Sequence, residues 1–339
     1  MPSHLPYRSI FLLSEERFPA LYSPEAIAEV QRLTRNDGRV YNREALLRTP
    51  EDFADVRLVF SGWGAPTMDE ELLAALPSLE ALFYGAGSVR ALTTEAFWGR
   101  NILLTSAYQV NAVPVAQYTV SAVVFALKQA FHLSRRLGTG MCVPMHDKDA
   151  IPGVYRGSRV GIVSLGAIGR LVCRMLAGYE VDVLAYDPYA EESVFSELSV
   201  ERVDRLDELF MRCEVISLHA PWLKETEGMV TGKLLRLMPP GATFINTSRG
   251  AVVNERELLE VLQERPDLFA VLDVLIDETV FHAHPLARLP NVFMTPHIAG
   301  SKGRESHRMG MTAVEECRRY LCGLPQLCAL NQATTQSLA

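Results

Sequence analysis

The chain has 339 residues, of which 48% are hydrophobic and 22% charged, and its formal net charge is −7. These proportions exclude a mainly disordered chain, which would have fewer apolar residues and a larger net charge. The length exceeds what one ordinary core holds and predicts two domains of roughly 150 residues each. The acidic balance argues against nucleic acid or an anionic membrane as a partner, because binding to either requires a basic surface.

The sequence contains no candidate for a secretory signal or a membrane-spanning segment. The apolar stretch at 10–13 is too short for a signal-peptide core. The most apolar segment, 112–127, includes several polar residues and predicts a buried helix. The cysteines form no C-x-x-C pair, which is typical of thiols in a reducing compartment; they are Cys142, Cys173, Cys213, Cys317, Cys322 and Cys328. We therefore expect a cytoplasmic protein.

The first hundred residues alternate short apolar runs with a helical pattern. Strands are predicted at 57–60 and 80–83, and a helix at 68–75, before the glycine-rich stretch at 85–87. Apolar strands that alternate with helices indicate a parallel sheet covered by helices. A long helix is predicted over 115–137, with Pro114 beside its first turn, where proline is tolerated.

After a Gly- and Pro-rich loop at 138–157, a second strand–helix series begins. The predicted helices are 168–177 and a final amphipathic segment at 306–321. The predicted strands are 159–163, 181–186, 215–218, 243–245, 270–272 and 292–294. The pattern predicts two α/β domains with doubly wound parallel sheets.

The strongest local signal is a nucleotide-binding turn at 160–169, where a strand runs into a helix. It approximates G-x-G-x-x-G, with Ser164 in place of the first glycine, and its turn residues are Gly166, Ala167, Ile168 and Gly169. Small residues at this position let backbone N–H groups reach a pyrophosphate. Asp187 closes the next strand, where a carboxylate binds ribose hydroxyls and repels a 2′-phosphate, which favours NAD over NADP. A tight turn without a ligand is the alternative.

Three charged residues follow predicted strands of this second domain. Arg249 lies in N-T-S-R-G, Glu278 follows L-D-V, and His297 lies in T-P-H-I-A. Ligands of open α/β sheets bind outside the carboxyl ends of the strands, so these side chains can converge there. Taken singly, each is as readily a structural histidine or a solvated charge.

Taken together, these motifs resemble those of the D-isomer-specific 2-hydroxyacid dehydrogenases in order and spacing over 114–300. The resemblance implies a catalytic domain of flavodoxin-like fold, residues 1–107 with 303–339, and a Rossmann NAD-binding domain, residues 108–302. It also implies a homodimer built through the NAD-binding domains. The expected reaction is reversible hydride transfer between NADH and a 2-oxo acid.

The chemistry of the three charged residues fits this reaction. An imidazole titrates near neutral pH, so His297 is the candidate acid and base for the substrate hydroxyl. Glu278 would orient the ring and favour its protonated form. Arg249 would bind the substrate carboxylate and polarise the 2-oxo group through its planar guanidinium. The resemblance assigns the same roles and adds the N–H groups of Ala86 and Gly87 as carboxylate donors.

Further cofactor contacts follow from the resemblance by position: Ser88, Ala220, Pro221, Thr226, Thr247, Arg249, Asp273, His297 and Gly300. His219 is expected to shape the cofactor pocket rather than act as a base. The pair His282 and His284 lacks a completing carboxylate or cysteine cluster, so no metal is expected. Trp63 is a candidate wall of the substrate pocket, and a packing residue beside a turn is the equal alternative.

The sequence departs from the family pattern at one position that bears on cofactor affinity, Ser164, and at two places that bear on substrate choice. Ser164 replaces a glycine, Ser88-Val89-Arg90 stands where Asp-Asn is usual, and Gln117 replaces a glutamate. Substrates left open are glyoxylate, hydroxypyruvate, phosphorylated glycerate and bulkier or aromatic 2-oxo acids. A relative acting on phosphite or formate is one alternative, although the formate enzymes pair their histidine with Gln rather than Glu. An NAD-sensing binding protein, like the corepressors that share this scaffold, is another.

Overall fold

The computed structural model describes residues 7–138, 140 and 151–336. The chain divides into two compact units. The first comprises the described residues up to Asn111 and from Ser301 onwards, and the second is Ala112–Gly300. Each has its own sheet, and the prediction of two parallel-sheet α/β domains is confirmed. Elements are numbered below in chain order.

The first unit has a six-stranded sheet in the order β13-β5-β4-β3-β1-β2, parallel except for the β13–β5 pair. Its strands are β1 (Arg8–Leu12), β2 (Val40–Tyr41), β3 (Val56–Ser61), β4 (Ala81–Tyr84), β5 (Leu103–Ser106) and β13 (Ala329–Leu330). Its helices are α1 (Phe18–Leu21), α2 (Pro24–Leu33), α3 (Arg43–Arg48), α4 (Glu70–Ala75), α5 (Glu95–Gly99), α13 (Arg304–Leu321) and α14 (Gln332–Gln336).

The second unit has a seven-stranded parallel sheet in the order β12-β11-β10-β9-β6-β7-β8. Its strands are β6 (Arg159–Val163), β7 (Asp182–Tyr186), β8 (Glu201–Arg202), β9 (Val215–Leu218), β10 (Thr243–Asn246), β11 (Phe269–Leu272) and β12 (Val292–Met294). Its helices are α7 (Ala130–Gly138), α8 (Ala167–Leu176), α9 (Glu192–Leu198), α10 (Leu206–Arg212), α11 (Gly232–Arg236) and α12 (Glu255–Glu264). The boundary between the units falls inside α6 (Tyr108–Leu127).

The central strands of both sheets are hydrophobic on both faces because helices cover both sides. Every residue of β4, β9, β10 and β11 is buried. Such strands read as continuous apolar runs, which is why the sequence located them to within one residue at most ends. The strand order of the second sheet reverses between β6 and β9, and this reversal is where ligands of open α/β sheets bind.

The prediction of one helix over 115–137 was wrong in both its start and its continuity. The helix α6 begins at Tyr108, so Pro114 lies inside it rather than beside its first turn. The hydroxyl of Ser106 accepts a hydrogen bond from the N–H of Tyr108 at this start. The helix ends at Leu127, and Gln129 has a φ of 48°, which no helix continues through. A separate helix, α7, follows.

One described helix, α6, is long and apolar enough to cross a membrane by length and composition, and 56% of its apolar window is buried inside the protein. Its buried face packs with residues of β6 and α8 in one hydrophobic cluster. This is the packing expected of the buried helix that the sequence predicted at 112–127. Among the described cysteines, Cys322 is exposed and the others are buried thiols, while Cys142 lies outside the described residues.

Candidate active site

Three neighbouring parallel strands deliver the predicted catalytic residues to one edge of the second sheet. Arg249 comes three residues after β10, Glu278 six after β11, and His297 three after β12. The strands pair in parallel in the order β10, β11, β12, so their carboxyl ends lie side by side. The structure therefore brings together the segments that carry all three side chains.

His297 and Glu278 form a direct hydrogen bond. The Nδ1 atom of the imidazole lies 2.8 Å from Oε2 of the carboxylate. A carboxylate is an acceptor, so the Nδ1 atom carries the proton and the Nε2 atom is left to exchange a proton with a ligand. The side chains are 41% and 39% exposed, which leaves the pair accessible to a small molecule.

Arg249 lies close enough to Glu278 for their charges to interact. Burial lowers the pKa of the Arg249 guanidinium from its ordinary value, and the Glu278 carboxylate opposes this shift. One guanidinium nitrogen, Nη1, donates to the carbonyl oxygen of Ser248 at 2.7 Å. An arginine remains charged under such conditions, so the site keeps a cation beside the His297–Glu278 pair.

Asp273 is buried under the turn that carries His297. Its Oδ1 atom accepts from the Thr295 hydroxyl at 2.6 Å and from the Ile298 N–H at 2.8 Å, and Oδ2 accepts from the Ala299 N–H at 2.9 Å. The Thr295 hydroxyl also bonds that of Tyr118 on α6 at 2.8 Å. Asp273, which was expected to contact the cofactor, thus has both carboxylate oxygens hydrogen-bonded to this turn. Tyr118 and Thr295 were not among the residues predicted from the sequence, although Thr295 opens the T-P-H-I-A motif.

The nucleotide-binding turn connects β6 to α8. Gly166 caps the helix without a side chain, and the N–H groups of Ala167, Ile168 and Gly169 donate to no acceptor within the described residues. A Cβ atom on Gly169 would lie 2.1 Å from the carbonyl oxygen of Ser164, so the turn closes this tightly only around glycine. Free N–H groups at a helix N-terminus fit a pyrophosphate.

Ser164 and Asp187 interact across this turn. Ser164 has a φ of 77°, the left-handed conformation that glycine adopts without strain. The Asp187 carboxylate accepts from the N–H groups of Leu165, Tyr189 and Ala190 at 2.7, 2.9 and 3.2 Å, and its fourth contact is the Ser164 hydroxyl at 3.4 Å. A carboxylate offers about four acceptor positions. The long serine contact is the one that a ribose hydroxyl would displace most easily.

His219 directly follows β9, the strand that pairs with β6 where the strand order reverses. Its Nε2 atom lies 2.9 Å from the Ser217 hydroxyl, and its Nδ1 atom is buried with no hydrogen-bond partner among the described residues. Burial lowers the pKa of His219 to about 3, which keeps the ring neutral. A neutral, buried ring fits the expectation that His219 shapes the pocket and is no base.

The remaining predicted contacts of the second unit differ in how their side chains are used. Ala220 is buried, and the Thr226 hydroxyl closes its own turn by donating to the carbonyl oxygen of Pro221. The Thr247 hydroxyl is buried against that of Thr119 at 3.0 Å. Gly300 is partly buried at the end of the unit. Gln117 is exposed on α6.

In the first unit, the loop after β4 presents backbone donors. The N–H groups of Ala86, Gly87 and Ser88 donate to no acceptor within the described residues. The Ser106 hydroxyl fixes this loop by donating to the carbonyl oxygens of Ala86 and Gly87 at 2.9 and 2.6 Å. Consecutive free N–H groups suit an anion such as a carboxylate. Trp63 is partly buried and packs against the core of this unit.

The described residues contain no group of three or more His, Cys, Asp or Glu side chains that could hold a metal ion. His282 is exposed, whereas His284 lies near Glu255 inside the protein.

Comparison with known proteins identifies the family. Residues 120–299, just over half of the chain, match the family described as "D-isomer specific 2-hydroxyacid dehydrogenase, NAD binding domain". The chain is 31% identical over 284 residues to D-3-phosphoglycerate dehydrogenase of Mycobacterium bovis, covering 83% of this chain and 52% of that protein. It is 30% identical over 274 residues to (S)-sulfolactate dehydrogenase of Chromohalobacter salexigens, covering 78% of this chain and 87% of that protein.

The fold is shared with solved structures of low sequence identity. D-mandelate dehydrogenase of Rhodotorula graminis superimposes with a TM-score of 0.79 at 21% identity, covering 96% of this chain and 98% of that structure. The chain spans about half the length of the phosphoglycerate dehydrogenases that it matches.

The protein belongs to the D-isomer-specific 2-hydroxyacid dehydrogenase family. Its second unit contains the family's NAD-binding domain, which confirms the cofactor predicted from the glycine-rich turn.

Proposed function

We propose that the protein catalyses the reversible, NAD-dependent reduction of a 2-oxo acid to a D-2-hydroxy acid. The 2.8 Å hydrogen bond between His297 Nδ1 and Glu278 Oε2, beside Arg249, is the observation that carries the proposal. An acid–base group, its orienting carboxylate and an adjacent cation are what proton transfer to a polarised carbonyl requires.

NADH, when bound, supplies the hydride that reduces C2 of the substrate. His297 donates its proton from Nε2 to the oxo oxygen in this direction and takes it back during oxidation. Glu278 keeps the proton of Nδ1 in place and stabilises the imidazolium. Arg249 polarises the oxo group and binds the substrate carboxylate.

The groups available to hold the cofactor are those of the β6–α8 turn and the next strand. The free N–H groups of Ala167, Ile168 and Gly169 suit the pyrophosphate. The Asp187 carboxylate suits the ribose hydroxyls, one of which would replace the Ser164 hydroxyl as a donor. A carboxylate at this position disfavours the 2′-phosphate of NADP.

The first unit, taken by itself, also offers candidate donors for a carboxylate. The carbonyl oxygens of Ala86 and Gly87 accept from the Ser106 hydroxyl, and the N–H groups of both residues have no acceptor within the described residues. The relatives named above act on phosphoglycerate, sulfolactate and mandelate. We therefore include 2-oxo acids with a phosphate, a sulfonate or an aromatic ring among the candidate substrates.

We also propose that the protein is a homodimer through the second unit. Several large apolar side chains of this unit are exposed, among them Phe125, Leu137 and Tyr155, which are 53%, 62% and 65% accessible. Because the family resemblance implies a homodimer, we propose that a second copy of the chain covers these side chains. Sedimentation of the wild type and of Phe125→Glu tests this, since a single species of monomer mass in the wild type contradicts it.

The function is tested by following NADH oxidation at 340 nm against glyoxylate, hydroxypyruvate, 3-phosphohydroxypyruvate, sulfopyruvate and phenylglyoxylate, each repeated with NADPH. We expect turnover with NADH on one class of substrate. His297→Asn should lower kcat by about 10² to 10⁴ with little change in NADH affinity. Arg249→Lys should raise KM and lower kcat, because an ammonium cannot bind a carboxylate bidentately.

The matched control is His282→Asn, at an exposed histidine four residues after Glu278. It should retain wild-type kcat. The proposal fails if NADH binds but no 2-oxo acid turns over, a result that favours the NAD-sensing alternative. It also fails if His297→Asn leaves kcat unchanged.

A further inference from the structure

The carboxylate of Glu255 contacts both ends of the segment that carries Glu278. This segment, residues 276–284, is called the Glu278 loop below. The Oε1 atom of Glu255, at the start of α12, accepts from the N–H of Ile276 at 2.6 Å. Its Oε2 atom lies 3.6 Å from Nε2 of His284 at the other end. Glu255 thereby contacts the first and the last residue of this nine-residue segment.

The orientation of His284 is set by its own backbone neighbours. Its Nδ1 atom accepts a hydrogen bond from the N–H of Leu286 at 3.3 Å, so the ring proton is on Nε2 and faces Glu255. The side chains of His284 and Glu255 are only 17% and 13% exposed. An interaction shielded from water is stronger than the same contact on the surface. The N–H of His284 also bonds the carbonyl oxygen of Val280, which closes the loop.

The start of the Glu278 loop is also packed against the residue that follows Arg249. A Cβ atom added to Gly250 would lie 2.0 Å from the carbonyl carbon of Leu275 and 2.2 Å from the nitrogen of Ile276. The backbone at 275–276 therefore lies between Gly250 on one side and the Glu255 carboxylate on the other. Its position relative to Arg249 is fixed by these two contacts.

We propose that Glu255 and His284 are positioning residues that hold Glu278 at hydrogen-bond distance from His297. The role given to the Glu278–His297 pair rests on the proposed function. The exposed pair has few restraints of its own, since Glu278 lies in a three-residue 3₁₀ turn without buried residues. The buried pair behind it supplies the restraint.

The test measures the tautomer of His297 by ¹⁵N–¹H correlation of the histidine rings, with the signal assigned by its loss in His297→Gln. In the wild type at a pH where the ring is neutral, we expect the proton on Nδ1. Glu278→Ala should shift it towards Nε2 and defines the full effect. His284→Asn retains an acceptor for the Leu286 N–H but removes the donor facing Glu255, and Glu255→Ala removes both contacts. Each should shift the tautomer in the same direction.

Turnover provides the second measurement. His284→Asn and Glu255→Ala should lower kcat by about tenfold and leave the KM for NADH unchanged, as loss of an outer positioning contact does. Glu257→Gln is the matched control, because Glu257 lies on the same helix but bonds the N–H of Gly232 at 2.6 Å. It should leave the tautomer unchanged.

The proposal is overturned if His297 keeps its wild-type tautomer in His284→Asn, or if Glu257→Gln shifts it as much. Should Glu255→Ala fail to fold, His284→Asn decides alone. A wild type that turns over no 2-oxo acid, but whose His297 tautomer still responds to His284→Asn, refutes the proposed function and supports the positioning role.

Discussion

The backbone of His297 is held on both sides by one residue, Asp273. The N–H of His297 donates to the carbonyl oxygen of Asp273 at 2.8 Å, and the next two N–H groups donate to the Asp273 carboxylate at 2.8 and 2.9 Å. His297 has a φ of 52°, a conformation that few non-glycine residues adopt. Such a conformation persists where its surroundings impose it, and here Asp273 imposes it.

We predict that Asp273→Asn destabilises the protein and lowers kcat. The amide places a donor where an oxygen now accepts, so one buried N–H or hydroxyl loses its partner. The free energy of unfolding should fall by about 1–3 kcal/mol, measured by urea titration. Asp204→Asn, at an exposed ion pair with Arg202, is the control and should change it by less than about 1 kcal/mol. Equal effects of the two variants would contradict the role given to Asp273.

A second prediction compares two glycines of the nucleotide-binding turn. Gly169→Ala should lower stability by about 1–3 kcal/mol and weaken NADH binding, because its Cβ atom would lie 2.1 Å from a backbone oxygen. Gly166→Ala meets no atom within 4 Å and should cost under about 1 kcal/mol. Thermal unfolding and NADH fluorescence titration measure both. Comparable losses of stability would show that the turn is looser than described.

Ser164 allows strain and affinity to be separated. Ser164→Gly should stabilise the protein by about 0.5 kcal/mol, since relief of the left-handed strain exceeds the entropy cost of glycine. It should also tighten NADH binding about threefold by vacating the fourth acceptor position of Asp187. Ser164→Ala removes the hydroxyl but keeps the φ of 77°. Ser164→Ala should therefore bind NADH more tightly than the wild type without being more stable. A variant that is more stable but binds NADH no more tightly would contradict the role given to the Ser164 hydroxyl.

The burial of His219 predicts a dependence of stability on pH. Its pKa is lowered to about 3 in the folded chain, whereas an unfolded histidine binds a proton near pH 6.5. The unfolded state therefore binds more protons between these values, so stability is complete above about pH 6.5 and falls as the pH is lowered. The loss should be about 1.4 kcal/mol per pH unit, or about 2 kcal/mol at pH 5.

His219→Asn removes this proton-binding group. The difference in unfolding free energy between the variant and the wild type should change by about 2 kcal/mol in favour of the variant from pH 7 to pH 5. Urea titrations at the two pH values measure it. A difference that stays constant with pH would show that His219 is protonated, or accessible to water, in the folded chain.

The sequence predicted β3 and β4 of the first sheet and every strand of the second except the two-residue β8, because a buried parallel strand is a continuous apolar run with its own local signal. The strands β1, β2, β5 and β13 of the first sheet were not predicted. The prediction failed at α6, whose first turn is polar and whose end is set by Gln129 in a left-handed conformation. The helix starts at the hydroxyl of Ser106 and ends at the left-handed conformation of Gln129. Neither feature produces a periodic apolar pattern, so hydrophobic periodicity does not locate these ends.

For the site, the order of the motifs was enough to name Arg249, Glu278 and His297, since residues directly after parallel strands share one sheet edge. The sequence could not reveal which neighbours hold them. Asp273 was expected to contact the cofactor, yet its carboxylate binds the turn of His297. His284 was considered only as a possible metal ligand and was given no role, yet it faces Glu255, 29 positions away.

The sequence by itself determined the fold class, the family, the cofactor and the identity of the charged residues at the sheet edge. Each of these is indicated by apolar runs or short motifs that are local in the chain. The tertiary structure decided how those residues are held: the Nδ1 proton of His297 against Glu278, the acceptor positions of Asp187, and the Glu255–His284 contact. These are distances between side chains far apart in the chain. Only the packing of strands and helices sets them.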